Sequence, residues 1–242
     1  ADAEWVFECR ALLDADCAWA PAGHEIAFGQ TVLRAARPRA LPEPAALVCG
    51  DCNTGADLGD AFALVWHPSG RLNSLRAPFG ELLAGALRPE FWRAPTENDL
   101  GNGAVLRWAP WKLASLYQSC ASLRRDRETG EVETQFALAG AGCRCTLTLR
   151  FVRGGVQARL RLPRPDGDLP CFGLAFEMPA RYDRLSWLGN LESEAGCDRR
   201  SACRLGAGSA LVAEQLTPYL KPQECANKTD LRELRITDSE GR

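Results

Sequence analysis

The stretch from Cys143 to Leu162 reads CRCTLTLRFVRGGVQARLRL and alternates apolar and polar residues along most of its length. In a β-strand, this period of two places the apolar residues on one face and the polar residues on the other. The alternation is interrupted at Gly154-Gly155, a pair that readily adopts the positive φ angles of a tight hairpin turn. The stretch therefore predicts two antiparallel strands, each with one face for packing and one for solvent.

Other stretches repeat the same period. Four further strands are predicted from these apolar positions: Trp5, Phe7, Cys9 and Ala11; Phe62, Leu64 and Trp66; Phe172, Leu174, Phe176 and Met178; and Leu231 to Ile236. Helical spacing is scarce, and Pro110 limits the predicted helix at 106–117 to one or two turns. The predicted class is all-β, with antiparallel sheets packed face to face.

Proline divides the chain into unequal parts. Residues 34–44 contain three prolines, which do not suit a central strand, so we predict a linker there. Residues 1–33 are too few for a domain of their own and are interpreted as the last strands of a sandwich. Residues 45–242 are predicted to form one further domain. The start is strand-like and the end is typical of a turn before another strand, which predicts that the chain is a segment of a larger polypeptide.

Composition excludes several classes of function. A net charge of −2 gives no reason to expect nucleic acid or an anionic membrane as a partner. No run of eighteen apolar residues occurs, so no membrane span is predicted. The eleven cysteines are scattered among apolar residues, which indicates reduced, buried thiols in a cytoplasmic protein. Cys49 and Cys52 have CxxC spacing but lack a second ligand pair in the sequence, so no metal site is predicted and a zinc module stays a minor alternative.

The stretch from Phe91 to Gly103, FWRAPTENDLGNG, concentrates the polar residues that could carry chemistry. Its arginine can bond the carboxylates of the same loop, its asparagines and aspartate can bond neighbouring backbone groups, and its glycines permit a hinge. An ordered structural loop and a loop that presents polar groups to a sugar both fit these properties. The candidate residues are Arg93, Glu97, Asn98, Asp99, Gly101, Asn102 and Gly103.

This stretch resembles the Arg-Ala-Pro-x-Asp/Glu-Asn-Asp-x-Gly segment that opens the C-terminal domain of β-galactosidases in glycoside hydrolase family 2. Tyr219–Asp230, YLKPQECANKTD, is similar to that family's Tyr-x-Arg/Lys-Pro-Gln-Glu-Asn-Gly-Asn-Lys-Thr-Asp segment. Cys225 and Ala226 take the places of Asn and Gly. A positive φ at that turn is costlier with the Cβ of Ala226 than with Gly.

A third match is Trp187–Arg199, which is similar to the family's Trp-x-Gly-x-Gly-Pro-x-Glu-Asn-Tyr-x-Asp-Arg segment. The polar positions that persist are Glu194, Asp198 and Arg199. The positions that depart from the pattern are Leu191, Glu192, Ala195 and Gly196. Upstream, Trp19–Phe28 resembles the end of the immunoglobulin-like domain that precedes the family's C-terminal domain.

The resemblance implies a fold and a function. It implies an antiparallel β-supersandwich of the galactose mutarotase-like type over 45–242, incomplete at its C-terminal end, preceded by the last strands of an immunoglobulin-like sandwich over 1–33. The function implied is that of a fragment of a β-galactosidase that hydrolyses terminal β-D-galactosides of the lactose type. Within it, 93–103 would form part of the substrate-pocket rim, with a mobile part starting at Gly101, and Glu194, Asp198, Arg199 and Glu224 would be secondary site residues.

Catalysis itself is not assigned to this chain. Retaining glycosidases need two carboxylates about 5 Å apart, and the candidates here are Glu97 with Asp99, Glu192 with Glu194, and Glu224. Glu97 and Asp99 are expected in a solvated loop, where both pKa values would stay near their ordinary values. In the family the catalytic glutamates come from a TIM barrel outside this region.

The resemblance also implies partners and cofactors. Mg and Na would be bound by other domains of the parent protein and no cofactor by this fragment. The parent's other domains, further copies of the parent and a β-galactoside would be the partners, without nucleic acid or membrane. Because of the departures in the second and third segments, a non-catalytic carbohydrate-binding or assembly module remains the alternative.

Overall fold

The structure is a computed structural model that describes residues 3–37, 40, 42–163, 167–192, 194, 196 and 198–242. Strands dominate these residues, which confirms the predicted all-β class. The strands are β1 Trp5–Leu12, β2 Glu25–Arg34, β3 Leu47–Cys49, β4 Asn53–Asp57, β5 Phe62–Trp66, β6 Arg71–Ala77, β7 Gly80–Glu81, β8 Gly85–Glu90, β9 Gln118–Asp126, β10 Glu131–Leu138, β11 Arg144–Val152, β12 Gly155–Arg161, β13 Gly173–Glu177, β14 Arg184–Asn190, β15 Leu205–Leu211 and β16 Glu233–Thr237. The helices are α1 Glu97–Gly101 and α2 Ala104–Leu116, with 3₁₀ turns at Arg200–Ala202 and Val212–Gln215.

The chain divides into two compact units. The first contains 1–40, 186–210 and 226–235, and the second contains 41–185, 211–225 and 236–242. The predicted division into 1–33, 34–44 and 45–242 stays a prediction. Part of the predicted linker, at residues 38, 39 and 41, lies outside the described residues.

The second unit is a sandwich of two sheets. One sheet has the strand order β12-β11-β10-β9, and the other has the order β13-β8-β6-β5-β4-β3 with β7 paired to β6. Both sheets and α2 contribute apolar side chains to one core. The fully buried members with the largest side chains are Phe91, Phe136, Phe151, Leu58, Leu147, Leu149, Val65 and Val132.

The hairpin predicted at 143–162 is confirmed. β11 and β12 pair in antiparallel register, with Val152 opposite Gly155 at the turn. Gly154 has a φ of 83°, the left-handed conformation that Gly adopts without a Cβ penalty. The alternating apolar side chains of β11 are buried, as the period of two requires.

The helix predicted to be one or two turns long is longer. α2 runs over thirteen residues with Pro110 inside it. Proline removes one backbone hydrogen bond, to the carbonyl of Leu106. Pro110 and Leu106 are both exposed, so that carbonyl can bond water, and Trp108 and Trp111 on the opposite face are buried. The prediction was wrong because packing of that face outweighs the lost bond.

In two predicted strands the large apolar residues do not face a core. In β5 the buried residues are Ala63 and Val65, whereas Phe62 and Trp66 are exposed. Every residue of β1 is exposed. In β5 tertiary packing selects the smaller side chains for the core, and in both strands the large aromatic residues lie outside.

The first unit contains the β1–β2 ribbon and a three-stranded sheet in the order β15-β14-β16. The two are joined by polar contacts. Gln30 accepts from the backbone N–H of Leu205 at 2.7 Å and donates to its carbonyl at 3.0 Å. Arg204 forms an ion pair with Glu25 of β2. These bonds fix the register of the ribbon against β15.

Among the described residues, the helices are too short and too polar for any of them to traverse a bilayer.

Candidate functional site

The segment from Phe91 to Gly103 joins β8 to α2 and is anchored at its start. Phe91 is fully buried, and its backbone N–H donates to the Ser115 hydroxyl at 2.9 Å. That hydroxyl in turn donates to the carbonyl of Trp111 at 3.0 Å. The first residue of the segment is thus fixed to the helix that follows the segment.

Arg93 and Asp99 form the central contact. Arg93 donates from Nη1 to Oδ2 at 2.6 Å and from Nη2 to Oδ1 at 3.2 Å, which is a bidentate pair. The guanidinium carbon lies 4.8 Å from the ring centroid of Trp108, a cation–π distance. The Asp99 side chain is 12% exposed and that of Arg93 is 31% exposed. We call Arg93, Thr96, Asp99 and Trp108 the clamp.

Thr96 completes the clamp. Its backbone N–H and its hydroxyl donate to Asp99 Oδ2 at 2.7 and 2.9 Å. Thr96 is the N-cap of α1 and Asp99 the third residue after it, so the carboxylate satisfies a free donor at the start of the helix. The predicted solvated loop is therefore wrong at 97–101, because this capping arrangement forms a short helix there.

The electrostatics of Asp99 also differ from the prediction. Hydrogen bonding to the Arg93 guanidinium is the main cause that lowers the pKa of Asp99 from 3.8 to about 2. Bonds from Thr96 act in the same direction, and desolvation opposes them. The same pair raises the pKa of Arg93. The expectation of an ordinary pKa was wrong for Asp99, which is ionised at neutral pH and unsuited to be a general acid.

The structure brings together two segments that the sequence separates by more than a hundred residues. The backbone N–H of Glu97 donates to the carbonyl of Pro222 at 2.9 Å. Lys221 Nζ donates to the Glu97 carboxylate at 2.6 Å. Glu224 is exposed and close enough to Arg93 to help raise its pKa. The first half of the Tyr219–Asp230 segment therefore lies against the clamp.

The end of the segment is shaped by its glycines and asparagines. Gly103 has a φ of 70°, whereas Gly101 ends α1 and is not among the residues with positive φ. Asn102 accepts from the backbone N–H of Ala104 at 2.9 Å, and its carbonyl accepts from Arg107 at 2.8 Å. The exposed Asn98 side chain has no hydrogen bond within the described part of the chain. Asn98, on α1 beside the clamp, thus presents an amide to solvent.

The second half of the Tyr219–Asp230 segment lies with the Trp187 segment in the first unit. Asn190 donates from its side chain to Thr229 Oγ1 at 2.7 Å and to Asp230 Oδ2 at 3.2 Å. Arg200 donates from one nitrogen to both oxygens of Asp230, at 3.1 and 3.0 Å. Lys228 Nζ lies 4.8 Å from the ring centroid of Trp187. We call this group the Asp230 cluster.

The departures from the family pattern have a structural consequence at one position. Ala226 has a φ of 65°, the left-handed conformation that is expected where the family pattern has Gly. Glu194 and Arg199 form an ion pair at 2.8 Å, and Asp198 beside them is exposed. Ala195 lies outside the described residues. The roles predicted for these residues stay predictions.

The CxxC pair lies at the β3–β4 turn, close to a histidine. The backbone N–H of His67 donates to the carbonyl of Cys52 at 2.9 Å. Both ring nitrogens of His67 have partners, the Asp51 carbonyl at 2.9 Å and the Thr54 hydroxyl at 2.8 Å. Within the described ranges no group of three or more potential metal ligands is assembled. The ten cysteines there are unpaired.

The contacts of three residues of the site were not predicted from the sequence. Thr96 could have been found, because Thr followed three positions later by Asp before an apolar run is a capping signal. Trp108 and Lys221 could not, because no local pattern indicates which arginine lies on a ring or which distant carboxylate a lysine meets.

Comparison with known proteins identifies related sequences. The family model described as beta galactosidase small chain matches residues 59–241. A beta-galactosidase of Priestia megaterium is 35% identical over 99% of this chain and 24% of its own length. A beta-galactosidase of Halalkalibacterium halodurans is 31% identical over 98% of this chain and 25% of its own length. Beta-galactosidase BgaC of Bifidobacterium adolescentis is 33% identical over 98% of this chain and 24% of its own length. The chain spans about a quarter of the length of these curated relatives.

Proposed function

We propose that this chain is part of an enzyme that hydrolyses terminal β-D-galactosides. The proposal proceeds from the family: the chain belongs to the beta galactosidase small chain family. In this proposal the chain contributes scaffold and part of the rim of the substrate pocket. The rim consists of the segment from Arg93 to Gly103. The whole enzyme's other domains and further copies of it would be the protein partners.

The observation that carries the rim proposal is the clamp together with its contact to Lys221 and Pro222. Two segments that match the family are held against each other by hydrogen bonds of 2.9 and 2.6 Å. The clamp removes freedom from the turn and leaves the amide of Asn98 exposed. A rigid turn with an exposed amide can bond sugar hydroxyls at a small entropic cost.

The carboxylates that break the glycosidic bond would lie outside these residues. Double displacement requires one carboxylate as a nucleophile and a second as an acid and base. Asp99 is held ionised by the clamp, and Glu97 bonds Lys221. Both carboxylates already have structural partners, which supports a positioning role for them.

A reducing compartment would suit the chain. The cysteines of the described residues are unpaired, and burial raises the pKa of Cys145 to about 12. The Cys145 thiol therefore acts as a small apolar side chain and is not a reactive nucleophile. Cys9, Cys17 and Cys52 are exposed, so the prediction of buried thiols is wrong for these three. The unpaired thiols support the cytoplasm as the location of the enzyme.

The rim proposal is tested by two glycine variants in the full-length gene product. A Cβ at Gly101 or at Gly103 would meet no atom within 4 Å, but only Gly103 has a positive φ. Gly103→Ala therefore carries a backbone cost of about 1 kcal/mol, whereas Gly101→Ala is the matched control. We expect Gly103→Ala to raise KM for a galactoside about fivefold and Gly101→Ala to leave it within twofold.

A raised KM for Gly101→Ala with an unchanged KM for Gly103→Ala would place the hinge at Gly101, as the resemblance implies. If neither variant changes kcat or KM, the segment is structural only and the rim proposal fails. The isolated 242-residue chain is expected to release no product from a chromogenic β-galactoside. Turnover by that chain would show a catalytic site within it.

A further inference from the structure

A cavity of about 490 Å³ lies in the second unit, where α2 ends and β9 begins. Tyr117, Gln118 and Ser119 form one side of it, and the end of β10 forms another. Arg71, the first residue of β6, comes from the opposite sheet and is the charged residue of the lining. None of the segments proposed for the galactoside site contributes to this cavity, so the inference is independent of the proposed function.

Arg71 is a poorly satisfied cation. Among the described residues, no carboxylate oxygen lies within 4.0 Å of the Arg71 guanidinium, the limit for an ion pair. Its Nη2 donates to Gln118 Oε1 at 3.2 Å. Its Nε–H is buried and has no partner there. Guanidinium has five N–H donors, so most of its capacity is unused. Burial and the nearby Arg88 lower the pKa of Arg71, but an arginine stays charged at neutral pH.

Gln118 keeps the guanidinium in place. Its side-chain nitrogen donates to the carbonyl of Pro89 at 2.8 Å, so its oxygen is directed to Arg71. Arg88 is occupied by Glu90 and Glu177, at 3.6 and 3.5 Å. The uncompensated charge at the cavity is therefore that of Arg71. The charge and the unused donors of Arg71 are available to an anion from solution.

The geometry points to a binding site for a small monocarboxylate that carries a ring. We infer that Arg71 bonds the carboxylate, because its planar fork matches that group. Tyr117 is 63% exposed and offers a flat surface on which a ring can pack. Leu116, whose side chain is exposed, adds apolar surface to the lining. A ligand with one charge and one ring uses each of these features.

The end of α2 selects against a more highly charged anion. α2 ends at Leu116, beside the cavity, and a helix C-terminus carries partial negative charge. The single positive charge of Arg71 is balanced by one carboxylate, and the helix C-terminus repels any further negative charge. A phosphate dianion would have an additional uncompensated charge. The site is therefore assigned to a monocarboxylate and not to phosphate.

Isothermal titration calorimetry on the 242-residue chain tests this assignment. The probe is D-galacturonate, and the control is D-galactose, an uncharged sugar with a hydroxymethyl group in place of the carboxylate. We expect saturable binding of galacturonate and at least tenfold weaker binding of galactose and of inorganic phosphate. Absence of galacturonate binding, equal binding of galactose, or tighter binding of phosphate would each overturn the proposal.

Variants locate the binding. Arg71→Met should weaken galacturonate binding at least tenfold and Tyr117→Ala at least threefold. Arg76→Met, at an exposed arginine of the same strand, is the matched control and should change nothing. If Arg71→Met does not fold, Gln118→Glu decides, because it places a carboxylate beside Arg71 and should abolish binding. Unchanged binding in Arg71→Met or in Gln118→Glu contradicts the site.

Discussion

Two Arg–Asp pairs in this chain consist of the same residue types and differ in their surroundings. In the clamp, both terminal nitrogens of Arg93 bond both oxygens of Asp99, whose side chain is 12% exposed. In the Asp230 cluster, one nitrogen of Arg200 bonds both oxygens, and the two side chains are 60% and 41% exposed. The first pair lowers the pKa of its carboxylate to about 2.

The difference shows that an ion pair depends on what surrounds it. Asp99 has a helix N-terminus to cap and a cation held on a tryptophan, so each bond restrains the others. Asp230 lies at the surface, where water competes for the same oxygens. We expect the clamp to stabilise the fold and the Asp230 cluster to contribute little, and the following predictions test this comparison.

The largest effect is expected for Arg93→Met. The variant leaves the carboxylate of Asp99 mostly buried and without its cation, which costs about 2–3 kcal/mol. The free energy of unfolding from urea denaturation measures this. Lys221→Met is the control, because its pair with Glu97 is exposed and should cost less than about 1 kcal/mol. Equal losses in the two variants would mean that the clamp is no stronger than a surface pair.

Acid provides the second test. The folded-state pKa of Asp99, about 2, lies below its ordinary value of 3.8, so its contribution is complete above pH 4 and is lost as the pH falls to 2. Solvent screening limits this contribution to at most about 2 kcal/mol. Other carboxylates also titrate, so the quantity to measure is the difference in unfolding free energy between the natural chain and Asp99→Asn. That difference should shrink between pH 5 and pH 2; a constant difference would contradict the lowered pKa.

The third test concerns the backbone of the Tyr219–Asp230 segment. Ala226→Gly should raise the free energy of unfolding by about 0.5–1 kcal/mol, because Ala226 has a φ of 65° that Gly adopts without penalty. Ala109→Gly, at an exposed position within α2, is the control with the opposite sign, a loss of about 1 kcal/mol. Destabilisation by both variants would show that Ala226 is not strained.

The sequence predicted what depends on local pattern. The hairpin at 143–162 follows from its period of two and its glycines, and the strained turn at Ala226 follows from the resemblance to a family with Gly there. Pro110 gave a wrong helix length, because a local rule says nothing about the face that Trp108 and Trp111 bury. For the same reason the apolar residues of β5 indicated the wrong side of the strand.

The candidate site was predicted only in part. The residues of the Arg93–Gly103 segment were identified, but their partners depend on contacts between distant positions. Lys221 reaches Glu97 across 124 positions of sequence, and Arg93 lies on a ring of the following helix. The low pKa of Asp99 depends on these contacts, so it could not be read from the spacing of two carboxylates.

The smallest effect is expected for Arg200→Met in the Asp230 cluster. Both partners are largely exposed, so the loss should be about 0.5 kcal/mol and should disappear in 1 M salt, where the Debye length is about 3 Å. The loss from Arg93→Met should persist in that salt, because a mostly buried pair is screened much less. Urea denaturation of both variants at low and high salt measures the contrast. A salt-resistant loss for Arg200→Met would make the two pairs equivalent and remove the physical distinction between the two regions.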